Sequence, residues 1–226
     1  MSDRLWLRLG AASGIVHVVL ALLGFGLGAA SGGYEEDLAK AVASPVAVGV
    51  WVGAYLELLG LLCFIVFVAR LWATLRRVEG DPAWLSATAF GAGLLFVVLT
   101  LVAFAAGGAA IYRYGHGIDV PVARALQDLG QAAFILTWAV SAVFLGATAV
   151  VAVQMHALPH WLGWSAAVLA VAQLAAVAVP DSSIPMIPGF LFLFWIVAVS
   201  VVLLRRAEER YMVGDRASVS SAPAAS

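Results

Sequence analysis

Six long apolar runs constrain the fold of this chain more than any other feature of its sequence. A continuous apolar stretch of at least ~18 residues is long enough to cross the hydrocarbon core of a bilayer as a helix. Hydrophobic residues make up 64% of the 226 residues and charged residues 11%, whereas about a quarter of a typical soluble chain is charged. The sequence therefore predicts an all-α polytopic bundle of six transmembrane helices: Leu9–Ala30, Val46–Ala69, Trp84–Ala106, Leu126–Val153, Trp161–Val179 and Gly189–Leu204.

The basic residues predict how this bundle is oriented. Connections on the cytoplasmic side of a membrane carry an excess of Lys and Arg. One side of the predicted bundle has nine arginines and the other has three basic residues, so both termini are expected in the cytoplasm. The nine are Arg4, Arg8, Arg70, Arg76, Arg77, Arg205, Arg206, Arg210 and Arg216, and the three are Lys40, Arg113 and Arg124.

Composition also predicts the domains and the location. We expect a six-helix transmembrane domain at 1–206 and a cytoplasmic tail at 207–226, disordered at its small, polar end. Because the chain has one lysine and otherwise uses arginine, which is typical of GC-rich bacterial genomes, the expected location is a bacterial cytoplasmic membrane. With a net charge of −1, the chain has no excess of basic residues to attract a nucleic acid.

Glycine pairs predict close packing of the first two spans. Helices in lipid approach each other where small residues face the contact. The motifs Gly10-x-x-x-Gly14 and Gly24-x-x-x-Gly28 lie on the first span, and Gly49-x-x-x-Gly53 lies on the second. We therefore expect an antiparallel hairpin of these spans, which brings His17 of the first span toward Glu57 of the second.

Glu57 is the only charged residue within the apolar run at 46–69. An ionised side chain near the centre of a membrane costs several kcal/mol. Glu57 is therefore protonated, partnered or in contact with water. One interpretation is a neutral acid that fixes helix packing. The other is the proton-titrating group of a polar cavity between the first, second and fourth spans, with His17 as its partner.

The outer end of the fourth span carries further polar candidates in the stretch RALQDLGQ. Asp128 and Gln131 are candidate substrate-binding residues here, and Asp128 lies four residues after Arg124, at the spacing of a helical ion pair. With Arg113, His116 and Asp181 on the same side, they suggest an outer vestibule. Thr137, Ser141 and Thr148 continue along this helix and either line a path or bond neighbouring helices.

Three histidines offer an alternative chemistry. His17, His156 and His160 all lie toward the predicted cytoplasmic half. Three imidazoles and a water make a catalytic zinc site that activates the water for hydrolysis. An intramembrane zinc-dependent hydrolase is therefore the enzymatic alternative. The favoured expectation has no cofactor.

The stretches GAYLELLG…ARLWATLRR and LPHWLGWSAAVLA resemble a set of uncharacterised bacterial membrane proteins, the domain of unknown function 4386 type. The resemblance spans about Leu9 to Leu204 and implies six helices with a glutamate in the second, but no activity. The favoured expectation is a non-enzymatic integral membrane protein: a proton-coupled small-molecule transporter or a subunit of a membrane complex. Its expected partners are the lipid bilayer, a small-molecule substrate, another membrane protein or a second copy of the chain.

Overall fold

A computed structural model describes residues 3–31, 37–179 and 186–220 of the chain. These residues form seven helices and no strand: α1 (Asp3–Ala30), α2 (Leu38–Ala43), α3 (Val48–Glu79), α4 (Trp84–Tyr112), α5 (Val120–Gln154), α6 (His160–Ala176) and α7 (Met186–Ser220).

The six long helices correspond to the six predicted spans. Five of them, all except α6, are long and apolar enough to cross a membrane. Helix α6 has 17 residues, which at ~1.5 Å per residue gives about 26 Å, slightly less than the ~30 Å hydrocarbon core. The protein is therefore an all-α, multi-pass membrane protein, as predicted. Which side the termini face stays a prediction.

Two boundaries differ from the predicted ones. Helix α5 begins at Val120, six residues before the predicted span, because Pro121 is well suited to a first helical turn. Helix α7 continues to Ser220, so the first part of the predicted tail is helical. The end of that tail, 221–226, lies outside the described residues, and the division at 206 stays a prediction.

Aromatic rings fill the centre of the bundle. Phe64 of α3 contacts Phe96 of α4, Phe144 of α5 and Phe192 of α7, with ring centroids 5.3 to 6.4 Å apart. Trp195 continues this cluster, 6.0 Å from Phe144. Each aromatic side chain buries a large apolar area, so these contacts hold four of the long helices around one core.

The predicted glycine-mediated hairpin is present as the close pair of α1 and α3. A Cβ atom added to Gly24 would lie 2.6 Å from the carbonyl oxygen of Gly53, and one added to Gly53 would lie 2.6 Å from the carbonyl oxygen of Gly24. Further along, a Cβ added to Gly60 would lie 3.2 Å from the carbonyl oxygen of His17. Only glycine permits such an approach of two backbones.

Candidate functional site

Two adjoining cavities lie at the end of the bundle that carries α2, which the sequence predicts to face away from the cytoplasm. The first, here called the polar chamber, has a volume of about 180 Å³ and includes Ser31, Lys40, Ser44, Tyr114 and Gln127 in its lining. The second, the aromatic chamber, has a volume of about 380 Å³ and shares Tyr114 with the first. Together they form the vestibule.

The walls of the polar chamber are held by short backbone contacts. Asp37 caps α2 because its Oδ1 accepts hydrogen bonds from the amides of Ala39 and Lys40, at 3.1 and 3.4 Å. The Gly115 amide donates to the Val42 carbonyl at 2.9 Å. Gly115 has a φ of +71°, and a Cβ there would lie 3.0 Å from the backbone nitrogen of Pro45. The α4–α5 turn is thereby pressed against the α2–α3 connection.

Tyr114 is a polar residue that lines both chambers of the vestibule. Its side chain is buried, and the Gln127 carboxamide Nε2 donates a hydrogen bond to its phenol oxygen at 2.9 Å. Burial raises the pKa of the Tyr114 phenol, and the hydrogen bond from Gln127 offsets only part of that rise. The phenol is therefore protonated at neutral pH and keeps its own hydrogen to donate.

The aromatic chamber is lined on one side by Trp51 of α3 and Tyr112 of α4. Their rings meet edge to face with centroids 6.4 Å apart. Pro45, Val46 and Ile111, together with Tyr114, line both chambers. His116, predicted for this region, also lines the aromatic chamber, so the vestibule combines hydrogen-bonding groups at one side with flat aromatic surfaces and an imidazole at the other.

The contact between α1 and α3 leads from the polar chamber to Glu57, and we call this contact the seam. Val50 lines the chamber, and Glu57 lies seven residues further along the same face of α3, about 10.5 Å deeper at ~1.5 Å per residue. On α1, Ser31 lines the chamber and Gly24 lies seven residues before it. A Cβ on Gly24 would lie 2.6 Å from Glu57 Cγ. The half-buried Glu57 side chain therefore fits against the bare backbone of α1.

Within the described part of the chain, no group donates a hydrogen bond to the Glu57 carboxyl. His17 is buried, and its Nδ1 lies 2.9 Å from the carbonyl oxygen of Gly60. Because a carbonyl only accepts, Nδ1 carries the hydrogen and donates it. His17 therefore bonds to the backbone of α3 one turn beyond Glu57, and the expected His17–Glu57 pair is not formed. The His17 ring also contacts Phe64, with centroids 4.9 Å apart.

Asp128 and Gln131 are exposed on α5 and line neither chamber. The predicted ion pair of Asp128 with Arg124 is not formed among the described residues; both side chains are exposed, and an exposed pair gains little. Their neighbour Gln127 is the residue of this stretch that reaches the vestibule. Asp181, also predicted for this region, lies outside the described residues.

The hydroxyl groups along α5 do not line the vestibule or bond to other helices. Thr137, Ser141 and Thr148 are buried and donate to carbonyls of their own helix, at 2.5, 2.9 and 2.8 Å. A buried hydroxyl in hydrocarbon needs an acceptor, and the preceding turn of the helix supplies one. These residues are accordingly satisfied within α5.

The three histidines of the zinc alternative are not brought together. His156 and His160 are exposed, with ring centroids 5.1 Å apart at the α5–α6 turn. Across residues 3–31, 37–179 and 186–220, no three His, Cys, Asp or Glu side chains are grouped so that they could hold a metal ion. His17 is instead held between α1 and α3 by Gly60.

Sequence reasoning missed Lys40, Ser44 and Tyr114 as site residues. One signal in the sequence pointed to them. Two connections predicted at the same end of the bundle are rich in polar and aromatic residues: SGGYEEDLAKAVASP and GGAAIYRYGHGIDVP.

Comparison with known proteins does not assign this chain to a family. No protein-family model, no curated protein and no solved structure matches it. The resemblance to the six-span bacterial proteins stays a prediction.

Proposed function

We propose that this membrane protein is a proton-coupled carrier of a small polar molecule, which binds in the vestibule while Glu57 takes up or releases the proton. The observation that carries the proposal is the seam, which joins the polar chamber to Glu57 along one face of α1 and one face of α3.

The physical argument starts from the cost of a charge at the position of Glu57. An ionised carboxylate that lies two helical turns below the chamber in hydrocarbon costs several kcal/mol unless water or a partner reaches it. Its protonation is therefore linked to whether the seam is open or closed. A change that admits water stabilises the carboxylate, and a closed seam stabilises the acid.

The composition of the seam suits such a change. Gly24 and Gly53 present bare backbone at the closest approach of the two helices. Because neither glycine has a side chain, a small separation of α1 and α3 at this point displaces only the Glu57 side chain that packs beside them. His17, about one turn deeper than Glu57 and fixed through its Nδ1, is the next group along the seam that can exchange a proton.

Transport by the purified full-length chain tests the proposal. Proteoliposomes are given a pH gradient and one of three probes that do not cross lipid unaided: benzenesulfonate, phenylalanine or benzyltrimethylammonium. We expect accumulation of one probe that disappears when nigericin collapses the gradient. Uptake equal to that of empty liposomes for all three probes would contradict the proposal and favour a membrane-complex subunit without a transport site.

A further inference from the structure

We infer that Ser200 of α7 is a positioning residue of the proton path, which holds the water that carries the proton from His17 toward the end of the bundle opposite the vestibule. This role rests on the proposed function, in which Glu57 exchanges the proton nearer the vestibule. It is separate from substrate binding, because Ser200 lines neither chamber.

One face of α1 carries only small or polar side chains along most of the helix. Its positions recur at alternating spacings of four and three residues, which places them on one side of an α-helix. They are Gly10, Gly14, His17, Ala21, Gly24 and Gly28. The series ends at Ser31, which lines the polar chamber. This face therefore leads from the vestibule toward the other end of the bundle without a large apolar side chain.

Two polar side chains of neighbouring helices lie against glycines of this face. A Cβ atom added to Gly24 would lie 2.6 Å from Cγ of Glu57. A Cβ added to Gly14 would overlap Oγ of Ser200 and lie 2.6 Å from the Phe67 ring. The Ser200 hydroxyl therefore lies directly on the bare backbone of α1, about 15 Å from the level of Gly24 at ~1.5 Å per residue.

The Ser200 hydroxyl is fully buried and has no hydrogen-bond partner within the described part of the chain. Other buried hydroxyls of the bundle donate to a carbonyl of their own helix, as in Thr100, Thr137, Ser141 and Thr148. An unpaired hydroxyl in hydrocarbon is unfavourable, and a buried group of this kind in a native protein points to a water or to a role in the chemistry. The Ser200 hydroxyl, turned toward α1, is therefore available to a water molecule.

His17 lies one turn from the contact of Ser200 with Gly14, on the same face of α1. Helical side chains lean toward the N-terminus of their helix, so the imidazole covers the turn that contains Gly14. The ring contacts Phe64, one turn of α3 further from the vestibule than Gly60, which agrees with this direction. Because Nδ1 donates to the Gly60 carbonyl, Nε2 is the nitrogen that accepts a proton.

The transfer past Ser200 needs only His17 and water. Protonation of Nε2 gives an imidazolium whose Nδ1–H stays on the Gly60 carbonyl. A small separation of α1 and α7 at Gly14 admits a water, which the Ser200 hydroxyl holds beside Nε2. The N–H bond at Nε2 breaks, the proton bonds to this water, and His17 returns to its neutral form. One proton leaves past Ser200 for each proton that Glu57 supplies.

Polar side chains continue from Ser200 to the end of the bundle. A Cβ added to Gly10, one turn before Gly14, would lie 3.2 Å from Cδ of Arg70. The Arg70 guanidinium donates to the Thr74 hydroxyl at 2.9 Å, one turn further from the vestibule along α3. A proton that passes Ser200 thus leaves along a polar end of the α1–α3 contact.

Uptake and exchange by Ser200→Ala test this role. The full-length wild type and the variant are reconstituted in proteoliposomes with the probe that the wild type transports. Uptake driven by a pH gradient requires net proton movement, whereas exchange of labelled for unlabelled probe at equal pH on both sides does not. We expect Ser200→Ala to lower the initial rate of gradient-driven uptake at least about tenfold and to leave the rate of exchange unchanged.

Ser141→Ala is the matched control. It makes the same change at a buried hydroxyl that is already bonded within α5, so both uptake and exchange should be retained. Because the Ser200 hydroxyl has no partner to lose, Ser200→Ala should unfold at the same temperature as the wild type or higher. Full uptake by Ser200→Ala, or loss of exchange together with uptake, would overturn the role given to Ser200.

The wild-type measurement separates this inference from the proposed function. Gradient-driven uptake by the wild type, with equal uptake by Ser200→Ala, would support the carrier and overturn the role of Ser200. Absence of uptake by the wild type would contradict the carrier and overturn the proton path with it.

Discussion

Replacement of Gly24 by alanine is expected to destabilise the protein by about 1–3 kcal/mol, the usual cost of overpacking a close contact. The added methyl group would lie 2.6 Å from both the Gly53 carbonyl oxygen and Cγ of Glu57. The first of these atoms is backbone, so α1 must move away from α3 to make room. Thermal unfolding in detergent, followed by tryptophan fluorescence, measures the loss as a lower midpoint.

Gly26→Ala is the matched control for this prediction. It places the same methyl group on the same helix two residues further along, where nothing lies within 4 Å. Alanine is also a better helix former than glycine by about 1 kcal/mol, so this variant should be as stable as the wild type or slightly more stable. Equal midpoints for the two variants would show that the close contact of α1 and α3 is not formed.

Replacement of Glu57 by glutamine is expected to reduce proton-driven uptake to the level of empty liposomes. Glutamine has nearly the shape of a protonated glutamate but cannot release the proton, so the carrier loses the step that couples it to the gradient. The measurement is the initial rate of uptake of the transported probe under the pH gradient.

Two controls accompany the Glu57→Gln variant. Asp128→Asn makes the same chemical change on an exposed carboxylate outside the seam and should retain uptake. Binding of the transported probe by Glu57→Gln should be unchanged, because Glu57 lies below the polar chamber and does not line it. Full uptake by Glu57→Gln would contradict the role given to this residue.

The spans and the α1–α3 hairpin were predictable from the sequence. A helix that crosses lipid must satisfy its backbone internally and be apolar throughout, so composition alone identifies it. Gly24 and Gly53 marked the hairpin because glycine is the residue that permits backbone contact. These sequence signals were strong because only helices and closed barrels can span a bilayer with every backbone polar group paired.

The partner of His17 and the residues of the vestibule were not predictable in the same way. His17 was expected to bond Glu57, but it donates to the Gly60 carbonyl, and no backbone acceptor is distinguished in a sequence from any other. Lys40 and Tyr114 come from two connections far apart in the chain. They line one chamber where Gly115 lets the α4–α5 turn contact the α2–α3 connection.

Access of water to position 57 through the seam is the most direct test of the account. In a background with Cys63→Ser, Glu57→Cys is treated with a charged methanethiosulfonate reagent from each side of sealed vesicles, and Leu58→Cys, on the exposed apolar face of α3, is the control. We predict that Glu57→Cys reacts from the side of the vestibule, and that Leu58→Cys, facing lipid, reacts from neither side. Failure of Glu57→Cys to react from the vestibule side would contradict the connection on which the proposed function depends.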